Sequence, residues 1–70
     1  MKLQMGKFFV DTRGAEAEGG GFKGVATWRW DEADTTLQRD TVFETVFATA
    51  AEAEVHAIAQ MKIRADAGAL

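Results

Sequence analysis

The sequence predicts an α+β fold: a three-stranded antiparallel sheet, connected as a meander, with one C-terminal helix packed on one face. Three observations predict it. Residues 22–30, FKGVATWRW, alternate with a period of two, which marks a half-buried strand. Residues 37–47, LQRDTVFETVF, are dense in β-branched and aromatic side chains, which suit a pleated surface. Residues 49–65, TAAEAEVHAIAQMKIRA, are crowded with alanine and open on a capping-box pattern. Elements adjacent in sequence usually pair in space, so strand, strand, strand, helix reads as a βββα meander.

The first strand lies within residues 2–13, KLQMGKFFVDTR, with its regular part at about 7–13. Gly6 is either a bulge or the true start, because apolar parity changes there: Leu3 and Met5 are odd, Phe8 and Val10 even. Residues 14–21, GAEAEGGG, read as a flexible connection. The glycine run is not a dinucleotide-binding loop, because that motif needs a helix after it and a strand follows here.

In the second strand, 22–30, Phe22, Ala26, Trp28 and Trp30 share one face, and Lys23, Val25, Thr27 and Arg29 share the other. The first set is the natural partner of the helix, so the tryptophans are core rather than stacking platforms. DEADTT supplies the next turn. In the third strand, 37–47, Phe43 and Phe47 go inside, because Glu44 on the other parity needs water. A helix over 41–47 also fits the spacing of Val42, Phe43, Val46 and Phe47, but the β-branched content favours the strand.

The helix is expected over about 49–66, with Thr49 capping the Glu52 amide, Glu52 reaching back to the Thr49 amide, and Gly68 ending it. Its buried stripe is read as Ala51, Val55, Ile58, Ala59 and Ile63. The row Glu52, His56, Gln60, Arg64 is read as facing water. Phe8, Phe22, Trp28, Trp30, Phe43 and Phe47 would then meet Val55 and Ile58 in the core.

The chain of 70 residues makes one domain, and a domain this short is marginal alone. It has no cysteine, which excludes disulfides and thiolate metal sites and suits a cytoplasmic location. No continuous apolar segment follows the N-terminal lysines as in a signal peptide, and none is long enough to span a membrane. The formal net charge is −3, which argues against a general nucleic-acid or anionic-membrane binder. The predicted loops 14–21 and 31–36 hold five acids and no base, leaving eight bases against six acids elsewhere.

Nothing catalytic stands out. Serine and cysteine are absent, which removes the usual nucleophiles. His56 has only Glu52 and Gln60 as helical neighbours. Asp31, Glu32 and Asp34 lack the glycine and distal glutamate of a calcium loop. The chain therefore reads as a non-enzyme with no cofactor and no metal. One helix covers one side of a sheet, so the other side should expose Phe9, Val25, Val42 and Val46 beside Lys23, Thr27 and Arg29. That mixed face is the candidate site, for a protein partner or a second copy of the chain.

Trp28-Arg29-Trp30, a strand ending at Phe47, and a helix opening Ala51-Glu52-Ala53-Glu54 together resemble the βββα domains at the N-termini of phage-type integrases. Plant ethylene-response DNA-binding domains share that plan. The resemblance implies a sheet face that enters the DNA major groove, here with Lys23 and Arg29, helped by Arg13 or Arg39. Those families are basic and this chain is acidic, so nucleic-acid binding is the second expectation behind a protein partner. The alanine-rich, cysteine-free composition also suits short proteins of GC-rich bacteria.

Overall fold

Gly6 decides how the sheet begins. In the computed structural model, which describes residues 1–70, the backbone reverses at Gly6 (φ 60°). Met5 then pairs with Phe8 across a two-residue turn. A positive φ confined to the first turn position is the type II′ pattern that matches strand twist. The expected first strand is therefore two strands, β1 (Lys2–Met5) and β2 (Phe8–Glu16). The parity change at Gly6 marks a hairpin, not a bulge. Leu3 lies opposite Val10, so both runs put their apolar residues on one face.

The sheet thus has four strands where three were expected. It continues through β3 (Phe22–Glu32) and β4 (Thr35–Phe47) in the antiparallel order β1-β2-β3-β4, and α1 (Ala50–Asp66) follows. Strand formation extends past the expected limits at several ends. Glu16, Asp31 and Glu32 belong to strands, not loops. Asp31 accepts from the Thr36 hydroxyl at 2.7 Å, and Trp30 Nε1 donates to Glu32 at 3.2 Å. Residues 41–47 are strand throughout, with one irregularity opposite Lys23 and Val25. The glycines at 19–21 carry the β2–β3 connection, all at positive φ.

The β3–β4 turn holds Ala33 at φ 54°, where an L side chain crowds its own backbone. Ala33→Gly is expected to stabilise the protein by about 0.5–1 kcal/mol, the relief of left-handed strain less glycine's added chain entropy. Urea denaturation checks this as a higher midpoint at unchanged slope.

Both ends of α1 are closed as the sequence suggests, with one difference. Thr49 Oγ1 accepts from the Glu52 amide at 3.2 Å. The Glu52 carboxylate returns to the Thr49 hydroxyl at 3.0 Å rather than to its amide. At the other end Ala67 is the cap and Gly68 (φ 69°) follows it. The Gly68 amide donates to Ala65 and the Ala69 amide to Arg64, the paired bonds of a Schellman motif.

The helix lies on β2 and β3 with a different face down from the one expected. Ala53, Ala57 and Met61 are fully buried. Val55 is 66% exposed and Ile63 60%, Ala51 and Ala59 are also exposed, and of the expected stripe Ile58 alone is half-buried. The reason lies under the helix, where Gly14 and Gly24 face it. A Cβ on Gly24 would stand 2.5 Å from the Ala53 carbonyl oxygen and 2.9 Å from the Ala57 Cβ. A Cβ on Gly14 would run into the Ala50 backbone. The axis is seated so low that only alanines fit beneath it, and the valine and isoleucines have no room there.

The core is Val10, Ala26, Trp28, Phe43, Ala57 and Met61, with Leu3, Met5, Phe8, Trp30 and Leu70 packed around it. Phe8 meets Trp30 edge-on at 5.4 Å. Phe22 and Phe47 sit opposite each other in the register and are only half-buried. Of the row read as facing water, Glu52 is exposed, but His56 and Arg64 lean on β4. His56 packs 5.9 Å from Phe43 and 5.1 Å from Phe47. The Arg64 guanidinium lies 5.3 Å over Phe43.

Candidate interaction face

Period-two alternation decides which side chains share the uncovered side of the sheet. Across the strands the register runs Gln4, Phe9, Arg29, Gln38; then Lys2, Asp11, Thr27, Asp40; then Arg13, Val25, Val42. Lys23 and Val46 follow as a pair. All seven residues singled out from the sequence (Phe9, Lys23, Val25, Thr27, Arg29, Val42 and Val46) therefore lie on one face, opposite α1.

They are not equally available. Phe9, Val42 and Val46 are each about half-exposed. Val25 is only 7% exposed, which corrects its place in the exposed patch. It sits in the row between Arg13 and Val42, where its neighbours across the register shelter it. Val25 is thus the floor of the patch, and Val42 and Val46 are its surface.

The basic residues are already engaged. Lys23 Nζ donates to Glu44 Oε2 at 3.0 Å. Arg29 stacks with its guanidinium 5.8 Å from the Phe9 ring centre. The Arg13 guanidinium reaches the Thr27 hydroxyl at 3.5 Å, and that hydroxyl donates to Asp40 at 2.7 Å. By register the face carries four cations (Lys2, Arg13, Lys23, Arg29) and four carboxylates (Asp11, Asp31, Asp40, Glu44). Its charges interleave and cancel. The sequence showed Glu44 on the parity of Val42 and Val46. The same period places Asp11 with Phe9, Asp31 with Arg29 and Asp40 with Val42, and the register adds which of these charges lie side by side.

A shallow depression of about 320 Å³ beside Phe9 is rimmed by Lys2, Asp11, Thr27, Arg29 and Gln38. On the helix side, Trp28, Trp30, Arg39, Thr41 and Arg64 line an open cleft of about 680 Å³. Arg39 is on that side and not with Lys23 and Arg29, since it pairs with Trp28. The buried Trp28 Nε1 has no acceptor within the chain.

No helix is long and apolar enough to cross a membrane. No group of three or more histidine or carboxylate side chains is placed to hold a metal ion. No family model, characterised protein or solved structure matches the chain.

Proposed function

We propose that this chain is a small interaction module, with no catalytic chemistry of its own, that docks a protein through the open face of its sheet. The observation that carries the reading is the exposure of Phe9, Val42 and Val46 on a face whose charges cancel. Apolar side chains set among charges of both signs suit a protein surface. A nucleic-acid face needs unneutralised cations to displace counterions, and here Lys23 is spent on Glu44. The extents of the molecule, 41 × 21 × 17 Å, leave a broad side of roughly 800 Å², about what each partner contributes to a standard interface.

A photo-crosslinking residue at position 42 tests this in the source cell, with the same residue at position 55 as the comparison. A discrete protein adduct is expected from position 42, lost when Phe9→Asp is added. Absence of any adduct from positions 42 and 46 would remove the reading. In parallel, titration with duplex DNA and with RNA at low salt should leave the amide signals of Lys23–Arg29 unmoved. Movement there that fades steeply with salt would hand the face to nucleic acid instead.

A further inference from the structure

We infer that the outer side of α1 is a self-complementary surface that seats the same helix of a second copy, antiparallel to it. The inference does not rest on the sheet-face reading, because it concerns the opposite side of the molecule. Its starting point is the exposed ridge Ala51, Val55, Ala59, Ile63, one residue per turn at intervals of four. The inner ridge Ala53, Ala57, Met61 is buried, and at ~100° per residue the two ridges lie on nearly opposite sides of the helix. The helix is thus apolar on both sides and packed on one.

Charge identifies the occupant. Two rows flank the outer ridge. Glu52, His56, Gln60 and Arg64 run along the side toward β4, and Glu54, Ile58, Lys62 and Asp66 along the other. A two-fold axis normal to the plane of two antiparallel helices brings like flanks together. The first flank supplies no opposite-charge pair, because its Arg64 is turned to the sheet over Phe43. On the second flank Glu54 meets Lys62 of the second copy when the axis passes at residue 58. That opposite-charge pair, made twice by the symmetry, sets the centre at residue 58.

The ridge agrees with that centre. Turned about residue 58, the second copy's Ile63, Ala59, Val55 and Ala51 fall at the levels of 53, 57, 61 and 65. Each therefore enters midway between, or just beyond, ridge residues of the first copy, so large and small side chains interleave without collision. The alanines permit the close approach that such interleaving requires. A parallel arrangement would set Glu52 against Glu52 and Lys62 against Lys62, and is opposed by the same charges.

The strip is ~25 Å long and ~10 Å wide, well short of the ~800 Å² per partner of a durable interface. The dimer is therefore weak, with a dissociation constant on the order of 100 µM. It leaves the two open sheet faces pointing away from each other.

The test is sedimentation equilibrium together with amide shifts followed from ~10 µM to ~2 mM. Concentration-dependent shifts should be confined to the outer side of residues 51–66. Val55→Asp should abolish them while the dilute spectrum stays that of the folded monomer, because Val55 touches little in one copy. Lys62→Glu should weaken association about tenfold, since the symmetric pair is lost twice. Adding Glu54→Lys should restore it. Residues eight apart on one helix do not touch, so that restoration comes only from the second copy. Glu54 also lies 3.6 Å from the Met1 nitrogen, so Glu54→Lys with wild-type Lys62 serves as the control and should remain weak.

A strict monomer at ~2 mM, shifts centred on Phe9, Val42 and Val46 instead, or no restoration in the double variant would each overturn the inference. Crosslinking from position 42 should be indifferent to Val55→Asp, which keeps a failure here separate from a failure of the sheet-face reading.

Discussion

Gly24→Val is expected to remove most of the folded population. The substitution looks favourable on strand propensity alone, where valine exceeds glycine by up to ~1 kcal/mol. The structure reverses the sign. The first carbon of any side chain at position 24 would lie 2.5 Å from the Ala53 carbonyl oxygen and 2.9 Å from the Ala57 Cβ. Neither can rotate aside, because one is helix backbone and the other is fixed directly to it. The helix must lift, and lifting it uncovers Ala53, Ala57 and Met61, all fully buried. Overpacking that a flexible side chain absorbs costs ~1–3 kcal/mol; against backbone we expect ~4 kcal/mol for valine and ~2 kcal/mol for alanine. A domain of this size holds only ~4–10 kcal/mol in total. Urea denaturation followed by far-UV circular dichroism checks it. A Gly24→Val protein with the original midpoint would mean that α1 does not sit on β2 and β3 as described.

That contact also shows where the sequence was legible and where it was not. Local chemistry was readable: Thr49 caps the helix, Gly68 ends it, and the alternation of 22–30 puts Trp28 inside and Arg29 outside. Those features depend on residues within a few positions of one another. The hairpin at Gly6 left its mark in the sequence as a change of parity, but a bulge changes parity too. What separates them is whether Leu3 pairs back onto Val10, a contact between strands. The candidate face was recoverable for the same reason as the tryptophans, because period two assigns faces without knowledge of partners. Which charges pair on it was not recoverable, since Asp11, Thr27 and Asp40 are neighbours only through the register.

The rotation of the helix was the least legible feature. A surface helix announces its buried side by having one apolar stripe, and this helix has two. Side-chain size favours the stripe that carries Val55, Ile58 and Ile63. The choice was settled from the other side of the contact, by two glycines that let the axis descend until nothing larger than alanine fits over Gly24. Met61 is the one large side chain on the buried stripe, because it stands one turn beyond that close approach, beside Val10 and Trp28, where a long flexible side chain fills the remaining space.

Reversed ranking of two truncations follows from that rotation. Met61→Ala is expected to cost about 3 kcal/mol, the loss of a fully buried side chain together with the cavity left among Val10, Ala26, Trp28 and Phe43. Val55→Ala removes a side chain that one copy leaves 66% exposed, and alanine is the better helix former by roughly half a kcal/mol. Its expected effect is therefore within about 0.5 kcal/mol of zero and on the stabilising side. Had the stripe of larger residues faced the sheet, the order would be the opposite, with Val55→Ala costly and Met61→Ala tolerated at the surface. Thermal or urea unfolding at ~10 µM, below any concentration at which the helices of two copies meet, reads the two directly. Raising the concentration to the millimolar range should then make Val55→Ala costly while leaving the Met61→Ala penalty where it was. The buried ridge is set by the fold of one chain, and the outer ridge acquires its worth only when a second chain is present.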